Sequence, residues 1–71
     1  MYNGYKSWNQ WNVSLWINND EGLYFMARHL VEKLGKEGAA TMLHSHLYEQ
    51  TTPDGATYNI TSIRAALTDI L

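Results

Sequence analysis

The sequence predicts a compact all-α domain of three to four short helices, and three features predict it. Apolar residues recur at three- and four-residue spacing in four separate stretches. Ser, Asn, Asp or Gly punctuates those stretches, as helix caps and stops require. Thr57, Tyr58 and Ile60 have strand-forming character, but the run is too short to make a sheet without a partner strand. A turn is expected around Pro53–Gly55, with a short hairpin there as the minority reading. Residues 1–71 form a single small helical domain, with residues 1–7 as an aromatic N-terminal arm.

The arm, Met1 to Ser7, mixes turn formers with tyrosines (Tyr2, Asn3, Gly4, Tyr5) and reads as ordered rather than helical. Ser7-Trp8-Asn9-Gln10 fits a capping box, in which the serine hydroxyl accepts from the Gln10 amide and the glutamine side chain reaches back to Ser7. The first helix therefore starts at Trp8. Trp8, Trp11, Asn12, Leu15 and Trp16 follow on one face, and Val13 and Ile17 widen the apolar arc. Asn18-Asn19-Asp20-Glu21 is a poor helix interior and a good start, so a second helix begins near Asp20. Leu23, Met26, Ala27, Leu30 and Leu34 repeat along it, and Gly35 stands where a left-handed cap is needed. Gly22 costs roughly 1 kcal/mol against Ala in a helix, so it lies in the cap or another backbone approaches it.

Lys36-Glu37-Gly38 reads as a connector, followed by a third helix carrying Ala39, Ala40, Leu43, Leu47 and Tyr48 and ending near Gln50. Thr51 to Gly55 suits a type I turn with Pro53 at its first central position. Asn59 or Thr61 then caps a fourth helix with Ile63, Ala66, Leu67, Ile70 and Leu71 on a docking face. The expected packing sets the Trp-rich first helix on the second, with the last helix closing the core.

Composition limits the function classes. A chain of 71 residues buries only about 60% of its unfolded surface, which leaves little room for both a core and a deep cleft. Without cysteine there is no disulfide framework and no thiolate metal site. No apolar run approaches the ~20 residues of a membrane span, and the N-terminus lacks signal-peptide order. The expectation is a soluble chain working in a cytoplasm, that of the host cell if it is phage-encoded. A net charge of -2 argues against a broad phosphate-binding surface.

The chemical candidates are few. His44 and His46 stand two apart, on opposite sides of a helix, and cannot share a metal; His29 and Glu32 make an isolated His-x-x-Glu without the further carboxylates of a bundle site. Asp20-Glu21 is the only adjacent acid pair, explained more simply by helix capping than by acid–base catalysis. No serine sits in a nucleophile elbow and no glycine loop cradles phosphate. The Asn12 and Asn59 glycosylation sequons are read as chance matches. The expectation is a non-enzyme with no catalytic residue, no metal and no cofactor. Lys6 with Tyr5, Trp8, Asn9 and Asn12 makes a candidate single-strand stacking surface, but one lysine is too little cation for it. The aromatic surplus is more telling. Tyr2, Tyr5, Trp8, Trp11, Trp16 and Tyr24 exceed what a thin core needs; at least one tryptophan is expected wholly inside, with Tyr2, Tyr5 and one tryptophan left over as an exposed anchor patch.

The run from Tyr2 to Tyr24, and above all Trp11-Asn12-Val13-Ser14-Leu15-Trp16-Ile17-Asn18-Asn19-Asp20-Glu21-Gly22-Leu23-Tyr24, resembles a family of small uncharacterised proteins of bacteriophages, plasmids and some prokaryotic genomes. Residues 59–71 resemble that family's terminal helix less distinctly, and relatives often carry a longer middle region than 35–55. The resemblance implies a mobile-element setting, where compact acidic proteins often block host defence, and hence an anti-CRISPR or antirestriction role by protein binding. On that reading Tyr2, Tyr5, Trp8 and Trp11 anchor a host nuclease or effector subunit, while Asp20, Glu21, Glu32 and Glu37 oppose its basic channel. The alternatives are a nucleic-acid-associated accessory protein and a self-assembling phage protein whose homo-oligomer is the function.

Overall fold

A computed structural model describes residues 2–68 and 70. Its helices are α1 (Trp8–Asn19), α2 (Glu21–His46) and α3 (Ile60–Leu67), with no strand among the described residues. The small all-α domain is as the sequence predicts. Met1 of the arm and Leu71 of the last apolar face lie outside the described residues.

Each helix begins at a side-chain cap that removes an unpaired amide. Ser7 accepts from the Gln10 amide at 3.2 Å, Asp20 from Leu23 at 2.9 Å and Asn59 from Ser62 at 2.9 Å. The capping box at Ser7 is only half formed, because Gln10 Oε1 accepts from the Lys6 amide (3.3 Å) instead of turning back to Ser7. A Cβ on Gly22 would stand 3.4 Å from Asp20 Oδ1, so this glycine lies in the cap of α2, one of the two roles the sequence left open.

α2 is not one straight helix. Gly35 adopts φ 77°, ψ 172°, a region essentially confined to glycine, and divides the helix into 21–34 and 36–46. These are the second and third helices of the sequence reading, with two corrections. Residues 36–38 are helical rather than a connector, because a single glycine makes the whole change of direction. The second stretch also stops at His46, short of Gln50, where Glu49 takes a positive φ of 61°. Tyr48 therefore lies outside the helix, 64% exposed.

The core is Val13 and Ile17 of α1, Ala27, Ala39, Ala40 and Leu43 of α2, Leu47, Ala56 and Tyr58 of the connection, then Ile63, Ala66, Leu67 and Ile70. Ala39 and Ala40 are fully buried, and the α3 face packs as expected. Two expectations change. α1 packs more extensively on α3 than on α2. The buried edge of α1 is Asn12, Val13, Ser14 and Ile17, whereas Trp11 and Trp16 are half-buried and Trp8 is exposed. No tryptophan is wholly core. The compact aliphatics fill the centre where two helices meet, and the larger indoles cover its flanks.

Candidate functional site

The most organised part of the molecule is where α1 holds the connection between α2 and α3. Asn9, Asn12 and Trp16 share one side of α1, at i, i+3 and i+7. Opposite them the chain turns at Thr52-Pro53-Asp54-Gly55. The Gly55 amide donates to the Thr52 carbonyl at 2.9 Å, Gly55 has φ +94°, and Thr51 and Thr57 form one antiparallel bridge. This is the turn expected around Pro53, closed by the single bridge of the minority hairpin reading.

Asn12 is buried and joins both sides. Its Oδ1 accepts from the Thr52 hydroxyl at 2.6 Å, and its Nδ2 donates to Asp54 Oδ2 at 2.9 Å. Thr52 Oγ1 in turn accepts from the Ala56 amide at 3.0 Å. Trp16 Nε1 donates to the same Asp54 oxygen at 2.9 Å. Asn9 pairs with the backbone of Thr57, donating to its carbonyl (2.9 Å) and accepting from its amide (2.8 Å), and also donates to Ser62 Oγ at 2.7 Å. Among the described residues no buried side-chain polar atom lacks a partner. The two donors, Asn12 first and Trp16 second, hold Asp54 below its ordinary value of 3.8, with burial opposing weakly. Asp54 is thus an ionised acceptor at neutral pH, with one oxygen occupied by two structural bonds. The sequence reading missed this cluster. Its signal was two asparagines inside a predicted helix, where their propensity is poor, together with Pro-Asp-Gly in a turn.

The predicted site residues divide. Tyr2 and Tyr5 pair through a two-residue turn, with amide–carbonyl bonds of 2.9 and 2.8 Å across Asn3 (φ 47°) and Gly4 (φ 92°), the backbone of a tight primed hairpin. Tyr2 is exposed, but the Tyr5 hydroxyl is bonded to Ser14 Oγ at 2.7 Å. Trp8 is exposed and Trp11 half-buried. Asp20 caps α2, and Glu21 follows it in the first turn. Glu32 pairs with Arg28 at 3.5 Å, and both Glu37 oxygens lie 2.9–3.1 Å from Arg64 Nε. Asp20 and Glu21 sit at the far end of α1 from Trp8, some 18 Å along twelve residues of helix. The proposed stacking surface loses Asn9 and Asn12, whose amides hold the 51–59 connection.

Phe25, Leu34, Met42 and Tyr48, all more exposed than Trp8, were not among the predicted anchors. Phe25, Arg28, His29 and Glu32 line an open depression of about 240 Å³. His44 stands edge-on to Tyr48, ring centroids 6.0 Å apart, and no group of three or more potential metal ligands exists among the described residues. Among those residues, too, no helix is long and apolar enough to cross a membrane.

A family model described as "Family of unknown function (DUF7249)" matches residues 1–71. The chain belongs to DUF7249. The DUF7249 match takes in the 35–55 segment, where the glycine kink and the Thr52–Gly55 turn lie, as well as the tryptophan-rich α1. No curated protein and no solved structure matches the chain. In this DUF7249 member the Trp-Asn-Val-x-Leu-Trp run serves the fold first. Asn12 and Trp16 hold the turn, Val13 fills the core, and Trp11 flanks it.

Proposed function

We propose that the protein acts by non-enzymatic protein–protein binding, in a phage or mobile-element setting, against a host defence nuclease or effector subunit in the anti-CRISPR or antirestriction manner. The observation that supports binding is the number of large apolar side chains left outside a fold whose buried polar groups are satisfied. Tyr2, Trp8, Leu15, Phe25, Leu34, Met42 and Tyr48 are exposed on a molecule with 4378 Å² of surface. A standard interface takes about 800 Å² per partner, roughly a fifth of that surface. Tyr2 and Trp8 are the anchors retained from the predicted set. Of the four predicted acids, Glu21 is the one with neither a capping bond nor an ion pair among the described residues. The host-defence target rests on the resemblance of residues 11–24 and on the acidic net charge.

The test is affinity capture of tagged protein from host lysate, with and without nuclease, read by mass spectrometry and repeated with Tyr2→Ala/Trp8→Ala. A nuclease-resistant defence subunit, lost in the double variant at unchanged melting temperature, supports the reading. Nuclease-sensitive material alone assigns the protein to nucleic-acid association, and recovery of the bait alone to self-assembly; either result overturns the proposal.

A further inference from the structure

The kink in α2 sets the size of the molecule. A straight helix of 26 residues is about 39 Å long at 1.5 Å per residue, whereas the longest dimension of the fold is 30 Å. The chain closes on itself only because Gly35 turns the helix back.

Two glycines make that turn, for different reasons. Gly35 occupies φ 77°, ψ 172°, which a residue with a Cβ adopts only under strain. Gly38 is in an ordinary helical conformation, but a Cβ added there would sit 2.8 Å from Leu34 Cβ, closer than atoms tolerate. In an uninterrupted helix, residues 34 and 38 are i and i+4, with Cβ atoms about 6 Å apart, and the clash disappears. Both glycines thus favour the kinked form, and both lower the helical propensity of the straight one.

The contacts that close the molecule lie on opposite sides of this hinge. Asn9 to Thr57 and Ser62, Asn12 to Thr52 and Asp54, and Trp16 to Asp54 all join a residue before 35 to one after 51. The Glu37–Arg64 and Tyr5–Ser14 contacts each stay within one side. If α2 straightens, every cross-hinge bond can re-form with a second copy.

We propose that Gly35 and Gly38 form a conformational switch between a closed monomer and a domain-swapped dimer, in which α2 runs straight and the 1–34 half of each copy docks on the 36–70 half of the other. The wild-type glycines hold the closed state. Exchange of an identical element needs no interface beyond the one already in the fold.

The test measures mass by size-exclusion chromatography with light scattering for the wild type, G38A and G35A/G38A. The wild type should run at its monomer mass of 8.2 kDa. The double variant should run at twice that mass with undiminished helical circular dichroism, and G38A as a mixture. The swapped dimer should also persist on dilution, because exchange requires the cross-hinge contacts to open, and should be rebuilt after denaturation and refolding at high concentration. A monomeric double variant, a dimer that dissociates at once on dilution, or loss of fold in the double variant with G38A purely monomeric overturns the proposal.

Discussion

Trp16 and Asp54, 38 positions apart in the chain, meet through one hydrogen bond from the indole Nε1 to carboxylate Oδ2 at 2.9 Å. Asn12 Nδ2 reaches the same oxygen at the same distance. One carboxylate in a turn thereby collects two donors from one face of α1, and fixes where the 51–59 connection crosses that helix.

Because both donors favour the charged form, Asp54 titrates below 3.8 in the folded chain. The sign follows from linkage: a carboxylate with a depressed folded value adds stability that is full above the unfolded value and vanishes as pH falls through the folded one. Urea denaturation followed by tryptophan fluorescence between about pH 2 and 6 should show the wild type losing stability below 3.8. Asp54→Asn should be less stable than the wild type at pH 6 and should show a shallower loss in that window.

Asn12 is the most deeply buried member of the cluster, at 1% exposure. Asn12→Ala strands the Thr52 hydroxyl and removes a donor from Asp54, so it should cost about 2–3 kcal/mol. At roughly 4–8 °C per kcal/mol for a domain of this size, thermal circular dichroism should record a Tm drop of about 8 °C or more.

The inverted face of α1 makes a sharp contrast. Ile17 is fully buried and Trp8 exposed. Ile17→Ala should cost about 2–5 kcal/mol by cavity formation, and Trp8→Ala less than about 1 kcal/mol, as at other surface sites. Were the tryptophan stripe the core, chemical denaturation would rank them in reverse order.

Tyr58 is 94% removed from solvent, at 6% exposure, and its phenol is pushed above 10, first by burial and then by the negative charge of Asp20. A raised folded value means the neutral phenol is favoured, so this contribution is present below 10 and lost as pH rises through the folded value. Alkaline titration by tyrosinate absorbance should show a late-titrating phenol that is absent from Tyr58→Phe.

The Glu37–Arg64 pair is close but exposed on both sides. Glu37→Gln should change stability by less than about 1 kcal/mol, and the difference should shrink with added salt.

Local chemistry made much of this fold legible. Ser7 and Asp20 cap the helices they were expected to cap, and Asn59, one of two candidates with Thr61, caps the last, because a capping bond spans three residues and depends on little else. Gly35 marks the break, and Pro53 with Gly55 marks the turn, for equally local reasons of backbone sterics. Periodicity likewise found Ile63, Ala66 and Leu67 as a buried face. It did not decide which arc of α1 turns inward, because Trp8, Trp11 and Trp16 on one side and Val13 and Ile17 on the other are both apolar. That choice belongs to the tertiary structure: the close approach of α1 to α3 admits aliphatic side chains, and the asparagines beside them can be buried only because Thr52, Asp54 and Thr57 arrive to satisfy them. No spacing within α1 encodes partners 38 to 53 residues away. The sequence by itself determined the helices and their ends, since those are fixed by bonds between near neighbours; only the folded chain decided which side chains became core, clamp and surface, since that depends on groups brought together by closure at Gly35.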